Sequence, residues 1–208
     1  MANFSIDEFM ARVDNLGGPA KSNKFSVEVT KPTTMRSSVT PDTINFLAKG
    51  VSLPGKSLAT TDYRHGGQFS LVVPYETTME PVTIKIMNTG NHAPRIFWND
   101  WFNHIQNMTT YNMQYYEKFI GSVTISHYRD DDENIEPSTA AYQVTLHEAY
   151  PKGMSAIEIG WESSEFQDFD IDIQYSWWTA SGEAEHRRRG NLAANNVITA
   201  GTATGTRR

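Results

Sequence analysis

The sequence predicts a mainly antiparallel β protein, two packed sheets or a barrel, with one helix inserted among the strands. Three observations carry that prediction. Short apolar/polar alternations recur from residue 25 to residue 178, turn signals punctuate them, and residues 94–108 alone replace the alternation with an internal helical repeat.

The elements follow in order. Ser5-Ile6-Asp7-Glu8 has capping-box form, and Ile6, Phe9, Met10, Val13 and Leu16 repeat at helical spacing until Gly17-Gly18-Pro19, which predicts a short amphipathic N-terminal helix. "KFSVEVT" reads as the first strand, with Phe25, Val27 and Val29 on one face, and "INFLAKGVSL" as the second, broken by Pro54-Gly55. "SLATTDYRHGGQFSLVV" reads as two extended arms joined near Gly66-Gly67, and "EPVTIKIM" as a strand with Val82, Ile84 and Ile86 sharing a face. Pro94, favourable as a first helical residue, opens "PRIFWNDWFNHIQNM". That segment puts Phe97, Trp101, Ile105 and Met108 on one face with Trp98 and Phe102 beside them; so wide an apolar stripe is core packing, not a ligand box. "FIGSVTISHY", "AYQVTLHEAY", "SAIEIGW" and "FQDFDIDIQYSWW" predict four more strands, with the acidic "RDDDENIEPS" as the turn between the first two. The organisation expected is a β domain over residues 1–180 and a polar, basic extension over 181–208, rich in Gly, Ala, Thr and Asn.

Composition narrows the chemistry. With 208 residues the chain can bury a core, and with no cysteine it has neither disulfides nor thiolate chemistry. No apolar run reaches the ~20 residues of a bilayer span, and Met1 to Leu16 lacks a signal peptide's basic start and apolar centre, so a soluble protein made and used without export is expected. Residues 183–208 hold five Arg and two Glu, a balance of +3, which leaves -9 of the total -6 to residues 1–182. An acidic body disfavours nucleic-acid binding, which needs Lys and Arg to neutralise phosphates. The basic tail could touch an anionic partner.

The most distinctive local pattern is Asp168, Asp170 and Asp172, alternating with Phe169, Ile171 and Ile173. Residues two apart on a strand share a face roughly 7 Å apart, so one face must be wet and the other dry. A solvated surface, a metal or catalytic carboxylate cluster and the lining of an aqueous passage are all compatible with that face. Carboxyls ~5 to 9.5 Å apart suit glycoside hydrolysis, and Trp161, Trp177 and Trp178 could stack on sugar. Adjacent ladder acids face the same way, however, whereas a glycosidase places its acids on opposite sides of the substrate. No Walker, dinucleotide-binding, GxSxG or HExxH pattern occurs, and the six histidines show no ligand spacing. "RDDDEN" lacks the glycine and the distant Glu of an EF-hand. No enzyme, metal or cofactor is expected.

Taken in order, "SNKFSVEV", "FLAKGVSLPGKSL", "EPVTIKIMNTGNHAPRIFWNDW" and "YPKGMSAIEIGWESSEFQDFDIDIQYSWW" resemble the tail tube proteins of contractile-tailed bacteriophages across about residues 4 to 178. "TTDYRHGGQFSLVVPY" matches only loosely, and the segment after Thr179 is long for the simplest members. The resemblance implies two orthogonally packed antiparallel sheets with a flanking helix, in a virion subunit assembled in the host cytoplasm. It also implies hexameric rings that stack into a hollow tube within a contractile sheath and conduct DNA. The partners so implied are further copies, the sheath protein, a baseplate initiator, and the tape-measure protein and DNA in the lumen. Asp168, Asp170 and Asp172 would then face the lumen. Inter-ring contacts would involve Phe9 and Val13 of the N-terminal helix, Arg64 and His65 of the 54–70 loop, and Asp131 and Asp132 of the acidic turn. Arg187, Arg188 and Arg189 would hold the tail against an acidic neighbour. The alternatives are a baseplate initiator or injection-machine tube subunit and, from another class, a carbohydrate-binding β-sandwich.

Overall fold

The computed structural model describes residues 5–15, 20–64, 66, 69–129, 140–162, 164 and 166–181. The elements in chain order are α1 (Ile6–Asn15), β1 (Phe25–Thr30), α2 (Asp42–Asn45), β2 (Ala48–Val51), β3 (Ser57–Tyr63), β4 (Leu71–Thr78), β5 (Val82–Met87), α3 (Ala93–Ile105), α4 (Tyr116–Phe119), β6 (Gly121–His127), β7 (Tyr142–Met154), β8 (Asp168–Gln174) and β9 (Trp177–Ala180).

The strands form two antiparallel sheets that share β7. Its first part pairs with β6 on one side and β9 on the other, and β6 continues to β1. Its last residues pair instead with β8, which continues through β5 to β2. Two register shifts lie along β7, one where Gly121 and Val123 face Ala149 and Leu146, the other between Pro151 and Gly153. Each adds an unmatched residue to β7, and such bulges bend a strand, which is how one strand can turn a corner between sheets. Glu148, within the first bulge, has φ 53°.

The core fills the space the corner encloses. Val27 and Val29 from β1, Val123 and Ile125 from β6, and Val144 and Leu146 from β7 meet Ile84 and Ile86 from β5 and Phe169, Ile171 and Ile173 from β8. Burying such a side chain contributes roughly 1.5–3 kcal/mol, so strict alternation fixes which face of each strand turns inward. From α3, Trp98 and Trp101 stack at 5.5 Å with Phe97 edge-on to both, and all three are buried. The Trp101 Nε1–H donates to the Phe119 carbonyl at 2.9 Å. The hairpin of β3 and β4 forms a separate two-stranded sheet.

Three sequence expectations change. The helix ends at Ile105, and Met108, expected on its buried face, is 68% exposed in the following turn. Asn107 Oδ1 accepts from the backbone N–H groups of Thr109 and Thr110, offering that backbone a turn in place of another helical rung. "SAIEIGW" forms no strand. Within the expected strand "INFLAKGVSL", Ile44 and Asn45 instead end the helical turn α2, and Asn45 Oδ1 accepts the Val29 N–H at 3.0 Å, capping part of the β1 edge.

Gly121 marks the tightest point of the corner. A Cβ there would collide with the Thr30 carbonyl oxygen and come within 2.9 Å of Trp101 Cη2. The backbone oxygen cannot yield, so Gly121→Ala is expected to destabilise the domain by about 1–3 kcal/mol or more, as overpacking does. A lowered urea midpoint at unchanged m-value checks it; an unchanged midpoint would mean the corner has room.

Candidate assembly surfaces

The aspartate ladder adopts the expected geometry. Phe169, Ile171 and Ile173 are buried, while Asp168, Asp170 and Asp172 occupy the opposite face of β8. The face is not a bare row of charge. Lys49 Nζ donates to Asp168 Oδ2 at 2.6 Å, Lys85 stands directly across from Asp170, and the Thr83 hydroxyl donates to Asp172 Oδ1 at 2.7 Å. Asp168 is largely covered, its side chain 15% exposed against 58% for Lys49. Directly opposed unlike charges are mildly stabilising and like charges are not, so the lysines relieve a ladder that would otherwise repel itself. Gly153, on the neighbouring strand, leaves Asp172 clear: a Cβ would approach its Oδ2 to 3.4 Å.

Three other surfaces expose apolar side chains. The β3–β4 hairpin pairs from Ser57↔Thr78 to Tyr63↔Leu71 with one register shift between Ala59 and Thr60, and Leu58, Leu71, Val72 and Tyr75 are all more than half exposed. Arg64 extends from its tip, also exposed. In α1, Ile6, Phe9 and Met10 are exposed and Val13 is half-buried, and the polar side carries an Arg12–Glu8 pair at 2.6 Å. The third is the stretch 106–115 after α3, and separately Ile159, Trp161 and Phe166 are exposed in the connection between β7 and β8. His65, Asp131, Asp132, Arg187, Arg188 and Arg189 lie outside the described residues. The predicted contact residues that are described lie in two places, Phe9 and Val13 on α1 and Arg64 just after β3.

The corner itself carries a cleft of about 550 Å³ between β1, α4, β6, β7 and β9, lined by Lys31, Lys118, His147, Glu148 and Trp177 among others. The His147 ring stacks on Trp177 at 3.7 Å and its Nε2 lies 2.9 Å from Thr179 Oγ1. Tyr116 Oη donates to Glu148 Oε2 at 3.1 Å. Desolvation, followed by the Glu148 bond and charge, pushes the Tyr116 phenol up to about 12. Trp177 and Trp178, adjacent on β9, point to opposite faces, and Trp178 lies under Lys56 Nζ at 4.7 Å. With Trp161 on a distant-in-sequence loop, the three tryptophans form no shared sugar platform. Among the described residues, no group of three or more His, Asp or Glu is placed to hold a metal ion, and no helix is long and apolar enough to cross a membrane.

A family profile described as phage tail tube protein matches residues 20–181. The chain belongs to that family. No curated protein matches. Among solved structures, a chain of an extracellular contractile injection system (PVC) sheath–tube complex in the extended state is similar at TM-score 0.55 and 16% identity, covering 86% of this chain and 98% of that one. A chain of the same system's sheath/tube terminator is similar at TM-score 0.56 and 17% identity, over 80% and 97%. A chain of the anti-feeding prophage baseplate gives 0.56 and 12%, over 78% and 95%. These likenesses establish a fold shared with chains of those assemblies. The family match covers β1 to β9, the corner and the aspartate face included, and leaves α1 outside.

In this tail tube protein the raised Tyr116 phenol makes a pH prediction with a definite sign. A folded-state value above the unfolded one means the contribution is intact below about pH 10 and is lost as pH rises through about 12. Tyr116→Phe should therefore lose less thermal stability than the parent between pH 8 and pH 11. Equal losses in the two proteins would show that ionisation of the Tyr116 phenol does not govern the alkaline limb.

Proposed function

We propose that this chain is a noncatalytic wall subunit of a virion tail tube, six copies closing into a ring and rings stacking inside a contractile sheath. One observation carries the reading beyond family membership: the sheet containing β8 ends at β2, which pairs only with β5 among the described residues, while its wet face bears the aspartates. An open edge invites strand pairing with a neighbour, and pairing around a ring removes the edge. The ring then carries Asp168, Asp170 and Asp172 on its inner wall. The similar solved structures stand in a sheath–tube complex, a tube terminator and a baseplate, which supports a sheath outside and an initiator and a terminator at the ends. Tape-measure protein and DNA are the transient lumen contents in this reading. Assembly takes place in the host cytoplasm, and the basic tail with Arg187, Arg188 and Arg189 docks on an acidic neighbouring surface.

The lysines sharpen the proposed lumen chemistry. Three carboxylates against Lys49 and Lys85 leave the wall mildly acidic, enough to deny phosphates the clustered cations that make DNA stick. Removing the acids reverses the sign.

Electron microscopy of the purified protein tests the assembly, with hexameric rings or tubes expected and a glycan-binding monomer ending the reading. Tubes carrying Asp168→Asn, Asp170→Asn and Asp172→Asn should still form, should pass DNA more slowly, and should bind it with affinity that falls steeply between 50 and 200 mM salt, about the range over which phosphate contacts weaken. Variant tubes that bind no DNA would place the ladder elsewhere than the lumen.

A further inference from the structure

Two segments display large apolar side chains in complementary form. The first follows α3: Met108, Tyr111, Met113 and Tyr115 are 68–79% exposed. Their backbone is nonetheless fixed. Gln106 bridges to Met113, the Gln114 N–H donates to the Ile105 carbonyl at 2.9 Å, and the Asn107 side chain holds the intervening turn, in which Tyr111 has φ 56°. A surface ordered in advance loses little entropy on binding. Met108 and Met113 also wall a groove of about 530 Å³, with Phe102, Ile105 and Met154 among its lining and Lys152 as its one charged lining residue. The second segment is the 155–167 connection, where Ile159, Trp161 and Phe166 are 79%, 107% and 86% exposed. It contains Glu158, Glu162 and Glu165 and no basic residue.

We propose that the 159–162 segment of one copy seats Trp161 in the α3–β7 groove of another. Within a single chain the tryptophan is fully exposed and takes no part in the groove lining, so the pairing proposed joins two copies. A second copy satisfies both halves at once. Glu158 and Glu162 meet the Lys152 rim, and the thioethers of Met108 and Met113 adapt to an aromatic ring and make favourable sulfur–aromatic contacts. Knob and groove are different surfaces of one chain, so the contact is head-to-tail, the kind that propagates into a ring or a stack. The inference rests on the tube reading and deepens it by assigning one of its subunit contacts.

The absence of cysteine makes the test clean. Trp161→Cys and Met113→Cys are placed in separate chains of distinguishable mass, co-assembled, and joined with a short bismaleimide that spans the shorter side chains. The mixed cross-link should exceed, by tenfold or more, the yield of Met113→Cys with Ile6→Cys on α1 or with Thr61→Cys on the hairpin. Trp161→Ala should keep the parent urea midpoint yet need at least tenfold more protein to assemble. Tubes in which the mixed product does not exceed these controls, or in which position 113 prefers position 6, overturn the inference and leave the tube reading standing. A chain that stays monomeric at every concentration overturns both.

Discussion

The fold depends on the passage of β7 from one sheet to the other. A strand that belongs to both sheets couples their registers, because a slip of one residue along β7 would turn Val144 and Leu146 out of the core and displace β8 with them. The bend is costly at one point. A non-glycine residue held in the left-handed region costs of order 1–3 kcal/mol, and Glu148 is such a residue. Its neighbours hold it there: Tyr116 donates to its carboxylate, His147 is clamped between Trp177 and Thr179, and Trp101 fills the space that Gly121 leaves. The aromatic packing of α3 and the corner of β7 are therefore one device, since each occupies room the other creates.

Where the corner places β8 decides what its polar face can be. The strand lies inside its sheet, between β7 and β5, so the aspartates look out over a broad surface and not along an edge. On such a surface charges from neighbouring strands interleave. Lys85 comes from β5 and Lys49 from β2, and neither is near the aspartates in sequence. The resulting face has charge of both signs, with acids in slight excess, and its cations are already engaged or opposed. With the lysine ends in solvent such contacts contribute little stability, about 0–1 kcal/mol each, so their arrangement bears more on what the face repels or admits than on holding the fold.

Much of this was legible in the sequence wherever one face of a strand is dry and the other wet. Val27 and Val29, Val82 to Ile86, and Phe169 to Ile173 alternate in burial as they alternate in polarity. The misreadings have a common cause in tertiary partnership. Ile157, Ile159 and Trp161 alternate as a strand would, but only Ile157 packs on the core, and the other two have no sheet to join within the chain. Met108 extends the apolar period of α3, yet the Asn107 side chain takes the N–H groups a further turn would need. The lysines on the aspartate face were invisible because facing pairs are set by register, which local pattern does not encode. The groove beside Met113 was hidden for the same reason: half of it comes from β7.

The exposed apolar surfaces make sense together once stability is considered per assembly. A two-stranded hairpin is marginal in water, and β3–β4 adds to that handicap a row of exposed Leu, Val and Tyr side chains. An amphipathic helix of 10 residues with no buried side chain is weaker still as an isolated element. A protein working as a monomer would lose solubility by such display for no return. In the closed array proposed above, the same residues would be the contacts, with distinct surfaces for lateral and axial neighbours. Folding of these peripheral elements is then linked by mass action to subunit concentration, while the β7 corner and its aromatic core keep the body of the domain intact before assembly begins.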